Sequence, residues 1–314
     1  MNANRLRKTI LILFLLASLG ALGCVTAFFW HPVGNGPAGP PVPREVFAQP
    51  WTARPVVLFG IGDSVTKGFG AKPGHSYFEK LAANPPDEFD DMRGLCLGTV
   101  LPNLTSENHA VSGSTSIHCL KDQLGALAPH DPKVFGVVVL TTGGNDIIHL
   151  YGRVPPSEGA MYGATLEAAQ PWIENYDRRL DEIIAAVKSV FPGGCHIFMA
   201  NIYDPSDGIG HPEIVGLPKW PDMLKILDAY NACIVRCAER HKDAVTLVDM
   251  HGLFLGHGVT CRWFWTAHYD RKDPHYWYYP NIEDPNDRGY DALRRLFLRE
   301  MVETLPGLFK KPTA

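Results

Sequence analysis

The sequence has no CxxC pair and no HExxH string, so the common zinc-site spacings are missing and no metal is expected. It has no Lys/Arg cluster interleaved with aromatics, and its net charge of −4 over 314 residues is small. A nucleic-acid partner is therefore not expected. Gly60-x-Gly62 follows an apolar run, but valine stands at position 65, where a dinucleotide fingerprint would need its third glycine. No Gly-Lys-Ser/Thr follows either, so the glycine-rich stretch LFGIGDSVTKGFGAK is not a P-loop, and no cofactor is expected. What remains for such a bend after a strand is a nucleophile lifted out of the sheet edge, which makes Ser64 the residue to explain.

Residues that can build a core are plentiful. Apolar types make up 46% of the chain and charged types 20%, enough for one large domain or two small ones. The first thirty residues stand apart: Arg5, Arg7 and Lys8 precede an uncharged stretch from Ile10 to Trp30. At about 1.5 Å per helical residue it spans roughly 30 Å, a bilayer core. The basic flank predicts a cytoplasmic N-terminus and an exported body, on the periplasmic or extracellular face. Ala21-Leu22-Gly23-Cys24 also resembles a bacterial lipoprotein cleavage site, with Cys24 as the lipidated residue, and plain cleavage is a third reading. Residues 31–55 are rich in proline and glycine and read as an extended tether. The globular domain is expected over 56–314. Beyond Cys24 there are six cysteines, an even number that permits disulfides outside the cytoplasm without giving their pairing; Cys233 and Cys237, one helical turn apart, equally fit buried thiols.

Short apolar runs recur at residues 56–61, 135–140, 196–202 and 244–250, with a weaker one near 108–111. Each suits a strand buried on both faces. Between them, Ile173, Tyr176, Leu180, Ile183, Ile184 and Val187 mark one face of a helix begun near Pro171. Met223 to Cys237 mark a second, and Tyr290 to Met301 a last one with Asp287 as its N-cap. Strands alternating with helices predict a three-layer α/β/α, flavodoxin-like domain around a five-stranded parallel sheet. In such a sheet the chemistry sits beyond the carboxyl ends of the strands. Ser64, Gly113, Asn145 and the loop after Met250 all fall there.

Gly62-Asp63-Ser64, Gly113 within AsnHisAlaValSerGlySer, and Gly143-Gly144-Asn145-Asp146 stand at three successive strand ends. In order and spacing they resemble the first three blocks of the SGNH (GDSL-type) hydrolases, over roughly residues 56–305. The resemblance implies the SGNH hydrolase fold and a serine esterase without metal or cofactor. Ser64 would attack the ester carbonyl, and the N–H groups of Ser64 and Gly113 with the side-chain amide of Asn145 would form the oxyanion hole. Glycine at 113 lets a backbone donor approach closely, and asparagine at 145 offers a neutral donor.

The fourth block departs from the pattern. Where the family carries Asp-x-x-His before Pro-Asn, this chain has Asn281-Ile282-Glu283-Asp284-Pro285-Asn286, so Asp284 stands in the histidine slot and Asn281 in the aspartate slot. A carboxylate with an ordinary pKa of about 4 is a weaker base than an imidazole near 6.5. His251, His257, His268 and His275 lie in the preceding loop. His275 is the nearest to the displaced block, so it is read as the base with Asp273 orienting it; Asp270 and His251 are the next candidates. The same loop carries Trp263, Phe264, Trp265, Tyr269 and Tyr276 to Tyr279, which suit a sugar platform, an acyl pocket, a membrane interface or a cover for the sheet edge. The expected function is a membrane-tethered esterase acting on carbohydrate O-acyl groups or, second, on lipid or short-chain esters. The competing reading is a non-catalytic binding protein of the same fold that has lost its base.

Overall fold

The structure, a computed structural model, describes residues 3–29 and 31–310. In chain order these form α1 (Ala3–Phe29), β1 (Val56–Gly62), α2 (Ser64–Lys67), α3 (Tyr77–Ala82), β2 (Leu104–Asn108), β3 (Phe135–Thr141), α4 (Gly144–Ile148), α5 (Leu166–Val190), β4 (Cys195–Ala200), α6 (Met223–Arg240), β5 (Val245–Val248) and α7 (Asp287–Lys310), with shorter turns between. The five strands are all parallel, in the order β2-β1-β3-β4-β5.

Continuous apolar runs mark the inner strands because both of their faces are covered. Val56, Leu58, Val137, Val139 and Phe198 pack with α3 and α7, whereas Val57, Phe59, Val138, Leu140 and Ile197 pack with α5 and α6. Alternate residues of a strand point to opposite faces, so one run supplies two cores. The edge strand β2 has a neighbour on one side only and is partly exposed throughout. It therefore carries no apolar run, and it lies at 104–108 rather than near 108–111.

Two helix starts differ from the sequence reading. Helix α5 begins at Leu166, because the Thr165 hydroxyl accepts a hydrogen bond from the Ala168 N–H at 3.2 Å; Pro171 lies inside the helix. For α7 the cap is Asn286, whose Oδ1 accepts from the N–H groups of Arg288 and Gly289, both at 3.0 Å. Asp287 instead pairs with Lys72.

The segment 31–55 is not a free tether. His31 donates to the Val259 carbonyl at 2.9 Å and stacks on Tyr276, Arg288 donates to the carbonyls of Asn35 and Gly36, and the Ala38 N–H meets Asp291. Between α3 and α7, Lys80, Glu88, Asp291, Arg294 and Arg295 form a buried ion network. Cys96, Cys119, Cys195, Cys233, Cys237 and Cys261 are all free thiols, and burial pushes Cys233 up to about 11 and Cys237 up to about 12. Cys24 lies within α1, but its side chain is outside those described.

Candidate active site

The three strand-end blocks meet because backbone approaches backbone where only glycine fits. Gly62 has φ +121°, and a Cβ there would lie 1.8 Å from the Thr141 carbonyl oxygen. The chain then turns, and Ser64 opens α2, partly exposed. Asp63 is a positioning group: its Oδ1 accepts from the Val65 N–H at 3.1 Å and from the Thr141 hydroxyl at 2.6 Å. Thr141 in turn bonds Thr66, which bonds Tyr77. Burial raises the Asp63 carboxyl to about 6.

The second block is tied to the first through Val111, whose N–H donates to the Gly62 carbonyl at 3.1 Å. Gln123 reinforces the join, donating to the Gly62 carbonyl at 2.7 Å and to Ser114 Oγ at 2.8 Å. Gly113 sits between these fixed points with φ +79°. Asn145, on the first turn of α4, donates one amide hydrogen to the Ser114 carbonyl at 3.0 Å. Its neighbour Asp146 is buried and accepts from the Ser116 N–H at 2.7 Å and from the Ser116 hydroxyl. Asp146 thus anchors α4, which presents Asn145.

The fourth block brings a carboxyl, not an imidazole, to the serine. Asp284 is buried and lies against the Ser64 hydroxyl, in a geometry that leaves its Oδ1 without a well-formed partner. Its Oδ2 accepts from the Asn281 amide at 2.7 Å. Burial raises the Asp284 carboxyl above the ordinary range, against the pull of Ser64 and Asn281. Glu283 beside it is raised to about 7 by burial and by the Asp284 charge. Between Asn281 and this pair, Ile282 has φ +69°. A β-branched residue there costs on the order of 1–3 kcal/mol, and such outliers gather at functional sites. Nothing in the sequence marked Glu283 or the strained Ile282, because both depend on how the loop closes.

A cleft of about 310 Å³ opens from this point. Ser64, Asn145, Asn281 and Glu283 line its polar end, and Ile147, Ile148, Leu217, Trp220, Met223 and Leu227 are among its apolar walls. His251, His257, His268 and His275 are not among the lining residues. His275 does pair with Asp273 as expected, yet Asp273 also accepts from Arg288 at 2.7 Å, and the imidazole packs on Gly34. His251 donates to the Ile202 carbonyl at 2.8 Å, and His257 stacks on Trp277. His211 does line the cleft; it is exposed and pairs with Glu213. Asp181, Cys237 and His241 are the one group of metal-ligand types gathered among the described residues, but both oxygens of Asp181 already accept from Arg240 at 3.0 Å.

The GDSL-like Lipase/Acylhydrolase family model matches residues 61–292. The chain belongs to that family. Its members are hydrolases acting on esters, and the match runs from the serine turn into the first residues of α7. This GDSL-family chain is similar to the extracellular lipase from Streptomyces rimosus, at 19% identity over 76% of this chain and 97% of that one, with a TM-score of 0.50. It is also similar to a catalytic mutant of an acetylxylan esterase from Geobacillus stearothermophilus (18%, 78% and 93%, TM-score 0.49) and to a G-D-S-L family member from Veillonella parvula (15%, 79% and 97%, TM-score 0.46). At such identities the likeness concerns the fold. No curated protein matches.

Proposed function

We propose that this GDSL-family chain is an exported, membrane-tethered serine esterase in which Asp284 replaces the histidine as base. The observation that carries this reading is the Asp284 carboxyl set against the Ser64 hydroxyl, with Asn281 holding its other oxygen. As Ser64 Oγ attacks the ester carbonyl carbon, Asp284 takes the hydroxyl proton and the carbonyl oxygen becomes an oxyanion. The N–H groups of Ser64 and Gly113 and the Asn145 amide stabilise that charge. Asp284 then gives its proton to the departing alcohol, leaving an acyl-enzyme. Water attacks the acyl carbon, its proton passing to Asp284 and then to Ser64 as the acid leaves. His275 and Asp273, the pair expected as base and orienting group, serve instead to hold residues 34–36 and Arg288 at the start of α7.

A carboxylate suits this role only when its pKa is raised, since general-base efficiency depends on pKa relative to the working pH. Burial raises Asp284, and ionised Glu283 would raise it further. Activity should therefore rise with pH along a limb above the ordinary carboxylate range. Stability runs the other way: for a carboxyl raised in the folded state, the contribution is complete below the unfolded pKa near 4 and is lost as pH climbs through the folded value, near 7 for Glu283. Glu283→Gln is expected to move the acid limb of kcat to lower pH and to raise thermal stability at pH 8. A pH–rate profile and a melting curve check both.

The apolar walls favour an acyl chain over a sugar, so lipid or medium-chain acyl esters stand ahead of carbohydrate O-acyl groups. Among the described residues no helix is long and apolar enough to cross a membrane. Yet Leu11, Phe14 and Leu22 of α1 are 60–73% exposed, and a helix apolar on all sides needs an apolar surrounding. A tether through α1 supplies it.

A fluorophosphonate probe tests the reading. Wild type should be labelled at Ser64 and Ser64→Ala should not; folded wild type that resists labelling would overturn it. The second reading, a binding protein without a base, rests on Asp284 in the histidine slot, and would be favoured if wild type and Ser64→Ala bound a non-hydrolysable acyl ligand equally with no turnover. For the oxyanion hole, Asn145→Ala is expected to lower kcat by about 10²–10³-fold with KM little changed, measured with a soluble ester.

A further inference from the structure

The loop between Thr260 and Lys272 ends in an aromatic tip that no part of the core uses. Phe264 is 73% exposed and Trp265 60%, and Trp265 stacks on Trp263. Exposed Arg262, Arg271 and Lys272 flank the tip, against a half-buried Asp270. The base of the tip is rigid. Asp207, itself at φ +54°, accepts from the N–H groups of Gly256, Gly258 and Thr260 at 2.8–3.0 Å, and the Val259 N–H donates to the Pro205 carbonyl at 2.9 Å.

Two connections place this tip. Val259 and Pro205 line the active-site cleft, so the tip grows from the cleft wall. The Val259 carbonyl also holds His31, two residues beyond the end of α1. Two residues span at most about 7 Å and the four from Val259 to Trp263 at most about 14 Å. The apolar helix, the aromatic tip and the cleft wall therefore converge on one side of the molecule.

We infer that this side is a lipid-facing surface: Phe264 and Trp265 seat at the headgroup level of an anionic bilayer, the three cations face its phosphates, and the cleft takes its ester from that membrane. Trp and Phe with adjacent basic residues match an interface where one side is apolar and the other wet and negative. This deepens the proposed function and rests on its reading of α1 as the tether.

The full chain, reconstituted in phosphatidylcholine vesicles containing phosphatidylglycerol, provides the test. With lipids brominated near the headgroup, tryptophan emission should be quenched, and Trp265→Phe should remove a measurable part of that quenching. A quenched fraction identical to wild type would overturn the inference, as would a change in oligomeric state showing that the tip covers a second copy. In a second arm, Phe264→Ser with Trp265→Ser should lower hydrolysis of a vesicle-borne ester about tenfold and leave a soluble short-chain ester within twofold; equal loss on both substrates would count against it. The quenching arm needs no turnover, so failure of the esterase reading and failure of the surface are separable.

Discussion

Replacing Asp284 by asparagine is expected to lower kcat by about 10⁴-fold, roughly 5.5 kcal/mol of barrier, because no group is left to take the Ser64 proton. Asparagine keeps the shape and can still accept from the Asn281 amide, so the fold should persist. The accompanying stability change separates a catalytic carboxylate from a structural one. Asp284 is raised by burial, so its ionised form is unfavourable in the folded protein, and its stabilising contribution is lost as pH rises through the folded value. The neutral variant should therefore melt at the same or a higher temperature than wild type at pH 8. A carboxylate retained for structure would give the opposite result. His275→Ala should leave kcat within a few-fold, since its partners are Asp273 and the N-terminal segment. If His275→Ala were inactive and Asp284→Asn active, the base would be the histidine.

Asp291→Ala is expected to destabilise the fold by about 3–5 kcal/mol, because it strands buried cations. Asp291 Oδ1 meets Lys80 at 2.8 Å and Arg294 at 3.3 Å, and its Oδ2 meets Arg295 at 2.9 Å, all nearly inaccessible to solvent. Burial alone would raise the Asp291 carboxyl, but the charges of Lys80, Arg295 and Arg294 outweigh it and hold the group below its usual value. Its contribution is thus present above the unfolded carboxylate pKa and is lost as pH falls through the folded one. Chemical denaturation should show the loss, and melting should drop by about 10 °C. Adding Lys80→Met to the variant should recover part of it, because one stranded charge is removed. A melting temperature within 2 °C of wild type, roughly 1 kcal/mol or less, would show that the network contributes little.

Local patterns carried most of the fold. Apolar runs without polar alternation implied a parallel sheet buried on both faces, and β1, β3, β4 and β5 lie where those runs fall. The edge strand β2 was misplaced because its side chains are partly exposed throughout, which leaves no apolar run to read. The start of α5 was read from Pro171 rather than from Thr165, although the residue that accepts the first N–H groups decides where a helix begins. At the site, glycines and strand ends placed Ser64, Gly113 and Asn145 in one region, and the bonds from Val111 to Gly62 and from Asn145 to Ser114 join them.

The proposed base was not legible in the same way. Residue type and spacing pointed to a histidine in the aromatic loop, yet what a side chain meets depends on loop closure over distances that no local pattern encodes. The sequence by itself determined the sheet, the serine turn and the absence of the usual histidine. Only the tertiary structure decided that Asp284 faces Ser64, that Glu283 lines the cleft, and that residues 31–38 are docked on the domain. The physical reason is that patterns of polarity and backbone freedom act over a few residues, whereas proton transfer depends on contacts between segments more than two hundred residues apart.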